Sequence, residues 1–320
     1  MTRSAIADAP PEVDGPPPAA TSTPGRRRQR QGVAYLFLSP WIVGAALLTI
    51  GPMVASLYLS FTDYDLFEAP TWIGVENYVT MFTGDERFWH AAWTTTRYVL
   101  VSVPLKLGVA LAVAMVLNRA RKGVGLYRSA FYAPSLLGAS VSVALAWRAM
   151  FSTDGTVDRV LSSIGLDIGG WVDQPQYALL TLVALAAWQF GAPMVIFLAG
   201  LKQVPRELYE AAAIDGAGPA RRFFGVTLPM LSPVILFNLV LETIHAFQAF
   251  TGAFVVSGGR GGPGDSTLLY PLYLYQRGFT DFRMGYASAM AWVLLAVVAI
   301  LTALVFRSAR RWVFYAGEDR

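Results

Sequence analysis

Apolar residues along this chain are gathered into long blocks separated by polar stretches. Six blocks stand out, at about Val33–Phe61, Trp93–Asn118, Tyr127–Met150, Tyr177–Leu201, Leu228–Phe250 and Gly285–Phe306. Several reach the roughly 20 residues that a helix needs to cross the hydrocarbon core of a bilayer. The pattern predicts an all-α, polytopic membrane protein with six transmembrane helices. Residues 1–30 are different: rich in Pro, Ala, Ser and Thr and without apolar periodicity, they predict a disordered tail. The membrane domain is then 31–320. The first block is too long for the apolar core of a cleaved signal peptide and has no evident small-residue cleavage site, so it reads as an uncleaved anchor.

Composition agrees. Of the 320 residues 55% are hydrophobic and only 14% charged, where a soluble domain carries about a quarter. The net charge of +4 does not point to nucleic acid, because the basic residues sit at the flanks of the blocks. Cysteine is absent, which excludes disulfides, Cys-ligated zinc and thiol catalysis. No His/carboxylate cluster suggests a metal, and His90 reads as a lone, solvated histidine in an outer loop. Gly259-Arg260-Gly261-Gly262-Pro263-Gly264 matches Gly-x-Gly-x-x-Gly, but a dinucleotide site needs a strand before it and a helix after it. Here it falls between two apolar blocks. No Gly-x-x-x-x-Gly-Lys-Ser/Thr run exists, so this chain does not hydrolyse ATP by that route.

Charge orders the loops. Arg26, Arg27, Arg28 and Arg30 precede block one, and Arg119, Arg121, Lys122 and Arg128 lie between blocks two and three. Lys202, Arg206, Arg221 and Arg222 lie between blocks four and five, and Arg307, Arg310 and Arg311 follow block six. The alternate loops, about 62–92 and 151–176, are acidic or mixed. By the positive-inside rule both termini and the loop 202–227 face the cytoplasm, in a multi-pass protein of the cell membrane.

That loop holds the most informative stretch, Glu207-Leu208-Tyr209-Glu210-Ala211-Ala212-Ala213-Ile214-Asp215-Gly216, followed by Val226-Thr227-Leu228-Pro229. Pro205 suits the first position of a helix. Glu207 and Glu210 favour its N-terminal turns. The alanines favour the helix and let a partner approach its backbone closely, and Gly216 suits the left-handed residue that ends it. Pro219 opens a second short helix carrying Arg221 and Arg222. The spacing Glu-Ala-Ala, three residues, Gly, nine residues, Val-x-Leu-Pro resembles the coupling loop of permease subunits of binding-protein-dependent ABC importers. Trp72-Ile73-Gly74-Val75-Glu76-Asn77-Tyr78, the segment 118–134, and Gly258–Thr267 with Tyr275, Phe279 and 285–289 resemble further segments of the carbohydrate type. The whole is similar to the first permease of two-permease systems such as those for maltose and glycerol-3-phosphate.

The resemblance implies a permease that translocates a sugar or related polyol and catalyses no reaction. It implies a second homologous permease subunit, two ATP-binding subunits and an extracytoplasmic solute-binding protein as partners, besides membrane lipid. ATP and Mg would be bound by the partner, with no cofactor in this chain. Glu207, Glu210, Ala211, Ala212, Asp215, Gly216, Leu228 and Pro229 would contact the ATP-binding subunit. A permease for a non-carbohydrate solute stays open as an alternative, as does an autonomous proton-coupled carrier.

Block five carries Asn238, Glu242 and His245. At about 100° per residue they fall within about 60° of one another, and Gln248 flanks them. A charge at membrane depth costs at least a few kcal/mol unless it is paired or wet. The stripe is therefore expected to face a cavity or another subunit, and its groups match sugar hydroxyls as donors and acceptors. Trp188 and Gln189 in block four offer an aromatic face and an amide. An interhelical hydrogen-bond network is the structural alternative. Lys106, mid-block two, is expected to snorkel or pair rather than bind ligand.

Overall fold

The structure, a computed structural model, describes residues 36–119, 124–138, 140–166 and 169–314. The predicted disordered tail, Arg121 and Lys122 lie outside those residues. The chain divides into two units, 1–55 and 56–320. The described part of the first unit belongs to helix α1 (Leu36–Leu59). A π turn at Ala46–Ile50 interrupts it. Pro52 follows directly; it has no N–H to donate, and a widened turn absorbs such a break. Leu36, Phe37, Trp41, Leu47 and Leu48 are exposed, as suits a helix whose solvent is hydrocarbon.

In the second unit the end of α1 leads to a two-stranded antiparallel hairpin, β1 (Thr62–Asp63) and β2 (Thr71–Trp72), with Thr62 opposite Trp72. This small ribbon departs from the all-α expectation. Then come α2 (Glu76–Thr83), α3 (Glu86–Arg119), α4 (Val124–Leu137), α5 (Val141–Phe151), α6 (Thr156–Ser163), α7 (Pro175–Trp188) and α8 (Gly191–Leu201). The polar loop folds as α9 (Arg206–Ile214) and α10 (Pro219–Arg222). A π turn at Phe223–Thr227 and the turn Leu228–Met230 follow. The chain ends with α11 (Ser232–Phe247), α12 (Thr251–Val256), α13 (Tyr270–Tyr275) and α14 (Met284–Trp312).

Among the described residues, four helical runs are long and apolar enough to cross a membrane: Leu36–Leu59, Glu86–Arg119, Ser232–Val256 and Met284–Trp312. The other two expected spans are broken. Gly125–Leu137 and Val141–Ser163 meet at 92°, and α7 and α8 meet at 43°. Six crossings are reached only if each bent pair is one. The breaks have local causes. Ser140 takes an extended backbone and its hydroxyl accepts the Val143 N–H, starting a new helix. In the second pair Pro193, in the first turn of α8, cannot donate to the preceding turn.

The long helix α3 is the hub, packed by α7, α8, α11 and α13. Ala110 and Ala114, both fully buried, keep its packed face thin. At its N-terminal end the chain is fastened by the 72–78 segment. Buried Asn77 donates through Nδ2 to the carbonyls of Ser60 (3.0 Å) and Thr62 (2.9 Å), where α1 ends. The Ser60 and Tyr78 hydroxyls pair at 2.8 Å. Gly285, opening α14, lies so close to the Thr62 carbonyl that any Cβ would collide with it.

Candidate functional site

A cavity of about 230 Å³ opens between α3, α7, α11 and α12. Its floor is the ion pair between Lys106 of α3 and Glu242 of α11, Nζ to Oε2 at 2.7 Å. Both side chains are mostly buried, 14% and 9% exposed. Each answers the other's charge where desolvation alone would penalise it. His245, one turn on from Glu242, is exposed and also lines the cavity. Tyr98, Ser102 and Lys106 follow one another at four-residue spacing and so share a face of α3. The Ser102 hydroxyl is buried, with no hydrogen bond of good geometry among the described residues, and the Tyr98 hydroxyl is its polar neighbour. A buried hydroxyl left this way is short of a bond worth about 1 kcal/mol net.

Gln189 lines the cavity from the break between α7 and α8. Its Nε2 donates to the Gly138 carbonyl at 3.0 Å. The Ser135 hydroxyl donates to the Gln189 carbonyl (3.1 Å) and accepts the Ala192 N–H (3.0 Å). A Cβ at Gly138 would run into the Gln189 side chain. The two broken helices thus meet at their breaks. Groups freed by each break are satisfied by the other helix, as irregular backbone at membrane depth requires.

Of the expected stripe, Glu242 and His245 reach the cavity. Asn238 does not: it is 1% exposed, and its Nδ2 turns back to the Val234 carbonyl at 3.2 Å. Gln248 lies past the end of α11, exposed and outside the cavity wall. Trp188 also stays outside, packed against the Trp147 ring at 6.0 Å. The helical projection put Asn238 and Gln248 near the face of Glu242 and His245, but α11 ends at Phe247, so that face does not continue to Gln248. Lys106 pairs, as expected. Tyr98 and Ser102 were missed, although the i, i+4, i+8 rule applied to block two would have found them.

The polar loop 202–227 is a helical hairpin with local hydrogen bonding. Pro205 is the residue before α9, with extended ψ of 136°, not its first helical residue. Gly216 has φ +74° and ends the helix as expected. The Ala217 N–H returns to the Ala212 carbonyl at 2.8 Å, and Arg222 Nε donates to the Ala217 carbonyl at 2.7 Å. The Tyr209 and Thr227 hydroxyls pair at 3.0 Å, tying α9 to the π turn. Glu207, Glu210, Ala211, Asp215 and Gly216 are exposed, and Ala212, Leu228 and Pro229 half-buried. Leu208 and Ile214 add exposed apolar surface, Ile214 at 87%.

At the other end of α3, Asp85 gathers a polar knot. Its Oδ2 accepts the Tyr273 and Tyr286 hydroxyls, both at 2.6 Å, and Arg277 at 3.3 Å. Its Oδ1 accepts the Phe88 N–H at 3.1 Å. Burial alone would push this carboxyl up; the two hydroxyls, the Phe88 N–H and the Arg277 charge outweigh it and hold it below the usual carboxylate range. Arg87 clasps Asp265 through two bonds of 2.8 Å. His90 lies on α3, not in a loop, with Nε2 3.1 Å from the Asp265 carbonyl oxygen. The glycine-rich 259–264 segment has no strand before it; the strands among the described residues are β1 and β2 alone.

Residues 78–313 match the family model of the binding-protein-dependent transport system inner membrane component. A probable ABC transporter permease protein, YesP of Bacillus subtilis, is 52% identical over 286 residues, covering 89% of this chain and 93% of that protein. The lactose transport system permease protein LacF of Rhizobium radiobacter is 33% identical over 91% of this chain and 99% of its own. The sulfoquinovosyl glycerol transport system permease protein SmoG of Agrobacterium fabrum is 34% identical over 87% and 90%. In fold, the chain superposes on a chain of a bacterial ABC transporter involved in import of the acidic polysaccharide alginate. The TM-score is 0.76 at 23% identity, covering 90% of this chain and 98% of that one. This chain belongs to the family of inner membrane components of binding-protein-dependent transport systems, the permease subunits of ABC importers.

Proposed function

We propose that this permease carries a sugar or related polyol through the cavity between α3, α7, α11 and α12. The observation that carries the reading is the cavity's chemistry. The Ser102 side chain, an amide (Gln189), an imidazole (His245) and an internally neutralised ion pair line one space. Such a set offers donors and acceptors around charges that close on each other, which suits a polyhydroxyl solute. The naming of LacF and SmoG for saccharide solutes supports the same class.

In this reading the solute arrives on an extracytoplasmic binding protein, and a second permease subunit completes the pathway. Two ATP-binding subunits bind ATP and Mg and dock on the α9–α10 hairpin, with Glu207, Glu210, Ala211, Ala212, Asp215, Gly216, Leu228 and Pro229 at the contact. Both termini and the hairpin are cytoplasmic. The absence of cysteine makes the orientation easy to test. Cysteine at exposed Glu86 labels with an impermeant thiol reagent in intact cells, and cysteine at exposed Ile214 does not; outside labelling at Ile214 overturns it.

The solute class is tested by deleting the chain. Uptake of the saccharides that the system's own binding protein holds should disappear. A binding protein that holds peptides and no saccharide sinks the sugar reading. Uptake that survives loss of the ATP-binding subunits and follows a proton gradient would instead favour an autonomous carrier built on Glu242 and His245.

A further inference from the structure

A second cavity, also of about 230 Å³, lies between α2, the first turns of α3, α13 and α14, and shares no wall residue with the first. Its walls are aromatic and aliphatic, with the rings of Phe82, Phe88, Trp89, Phe247 and Tyr270 foremost. Four wall side chains carry polar atoms, and each is already satisfied. Thr95 Oγ1 donates to the Ala91 carbonyl (2.8 Å) and accepts the Tyr270 N–H (2.6 Å). Thr96 Oγ1 donates to the Ala92 carbonyl (2.8 Å) and the Tyr270 hydroxyl to the Met290 carbonyl (2.8 Å). Trp89 Nε1 donates to the Phe82 carbonyl (3.1 Å). Every donor on the wall side chains is already used, and no charged side chain is among them. A polar ligand would give up its hydrogen bonds to water here and receive none in return.

The position of the cavity narrows the occupant. Phe82, Trp89 and Val297 at its wall are exposed. Its mouth lies along α3 and α14, both long and apolar enough to cross a membrane. The same two helices go on to expose Leu100 and Leu105, and Ile300 and Leu304. The cavity is therefore continuous with apolar helix surface. Leu294, one of its deeper wall residues, is ten residues past Met284, about 15 Å along α14 at 1.5 Å per residue. That depth is about half of a hydrocarbon core some 30 Å thick.

The geometry points to a seat for one acyl chain of a membrane phospholipid, held between α3 and α14 within a single leaflet. The site is separate from the solute cavity and does not depend on the solute's identity.

The test uses the assembled transporter, permease with its partner subunits, in nanodiscs containing phosphatidylglycerol with a photoactivatable diazirine on the acyl chain. After illumination, peptides carrying Trp89 and Val297 should be labelled more densely than the exposed helix α1. Filling the cavity with Ala92→Phe should lower label on those peptides several-fold and leave α1 unchanged, with solute uptake retained. Val297→Trp, at the mouth, should do the same. Label that persists in the filled variants overturns the seat. So does label found only on permease purified without its partner subunit, which would make the occupant a partner side chain. If both variants fail to assemble, the wild-type pattern decides, and label no denser than on α1 refutes the proposal.

Discussion

The hairpin α9–α10 and the cavity above Lys106 and Glu242 treat polar groups in opposite ways. In the hairpin, Glu207, Glu210 and Asp215 are exposed and enter no ion pair among the described residues. Its shape is set by bonds spanning five residues or so, such as Ala217 to Ala212. In the cavity, the two charged groups answer each other across 136 residues of sequence. The first region is a stiff local shape that leaves its charge facing outward. The second closes its charge internally. A partner interface can be carried by a short segment; a pathway for a solute has to be assembled from helices far apart in the chain.

The sharpest way to break this contrast is at Gly216. Its φ of +74° disfavours any side chain, and a bulky residue there costs about 1–2 kcal/mol of backbone strain. Gly216→Val should leave the protein in the membrane, weaken capture of the ATP-binding subunit and abolish uptake. Glu210→Lys, which reverses an exposed charge, should do the same without touching the backbone. Normal co-purification of that subunit together with normal uptake in both variants would remove the hairpin from the coupling role.

Next in size is the buried pair. Lys106→Met strands the Glu242 carboxylate, and breaking a buried pair on one side costs about 3–5 kcal/mol. The thermal stability of the purified complex should fall clearly for Lys106→Met and recover in part for Lys106→Met with Glu242→Gln. If the double variant is the less stable of the two, the pair is not a closed unit. Glu242→Gln alone keeps the shape of the side chain. Losing a hydrogen bond to a charged group is worth about 1.5–3 kcal/mol, so half-saturation for uptake should rise ten- to about a hundred-fold if the solute touches it. An unchanged half-saturation, normalised to assembled complex, takes Glu242 off the solute path.

Ser102→Ala should have a smaller and more specific effect. The hydroxyl has no hydrogen-bond partner among the described residues, so removing it should not lower stability. If a solute hydroxyl completes it, about 1 kcal/mol is lost on binding, roughly a five-fold rise in half-saturation. A variant that loses stability but keeps its half-saturation would make Ser102 a packing residue.

The smallest effect under ordinary conditions sits at Asp85. Its carboxyl is held below the ordinary value in the folded protein, while the unfolded chain titrates near 3.9. The stability it contributes is fully present above about pH 4 and declines as pH falls further, with no contribution to pH dependence between pH 5 and 8. The unfolding temperature of Asp85→Asn should therefore respond less than wild type to acid below about pH 4. Parallel curves would show that the knot around Asp85 does not set the acid response.

How much of this was legible in advance follows the same division. The local fold of the α9–α10 hairpin could be read almost residue by residue, because helix propensity, a left-handed glycine and an N-terminal proline act locally. Only Pro205 was placed one residue too far into the helix. The membrane blocks were visible, but the breaks at 138–140 and 189–190 were not. Ser140 and Pro193 act locally at them, but what fastens them together is Gln189 meeting the Gly138 carbonyl across 51 residues of chain. Half of the polar stripe held. Glu242 and His245 reach the cavity, whereas Gln248 does not because α11 stops at Phe247. Tyr98 and Ser102 carried a periodic signal, yet Tyr and Ser are too common in membrane helices to stand out without knowing which face is wet.

The meeting of the two broken helices has a mechanical consequence. Ser135 grips both sides of the α7–α8 break, and Gln189 grips the carbonyl at the end of α4. Gly191 is pressed against the Phe131 carbonyl so closely that a methyl group would not fit. Neither bend can open on its own without releasing bonds that the other needs. Two elbows fastened at the joint have one freedom between them, so a push delivered to the end of α8, where the chain runs into the coupling hairpin, is delivered to α4 as well.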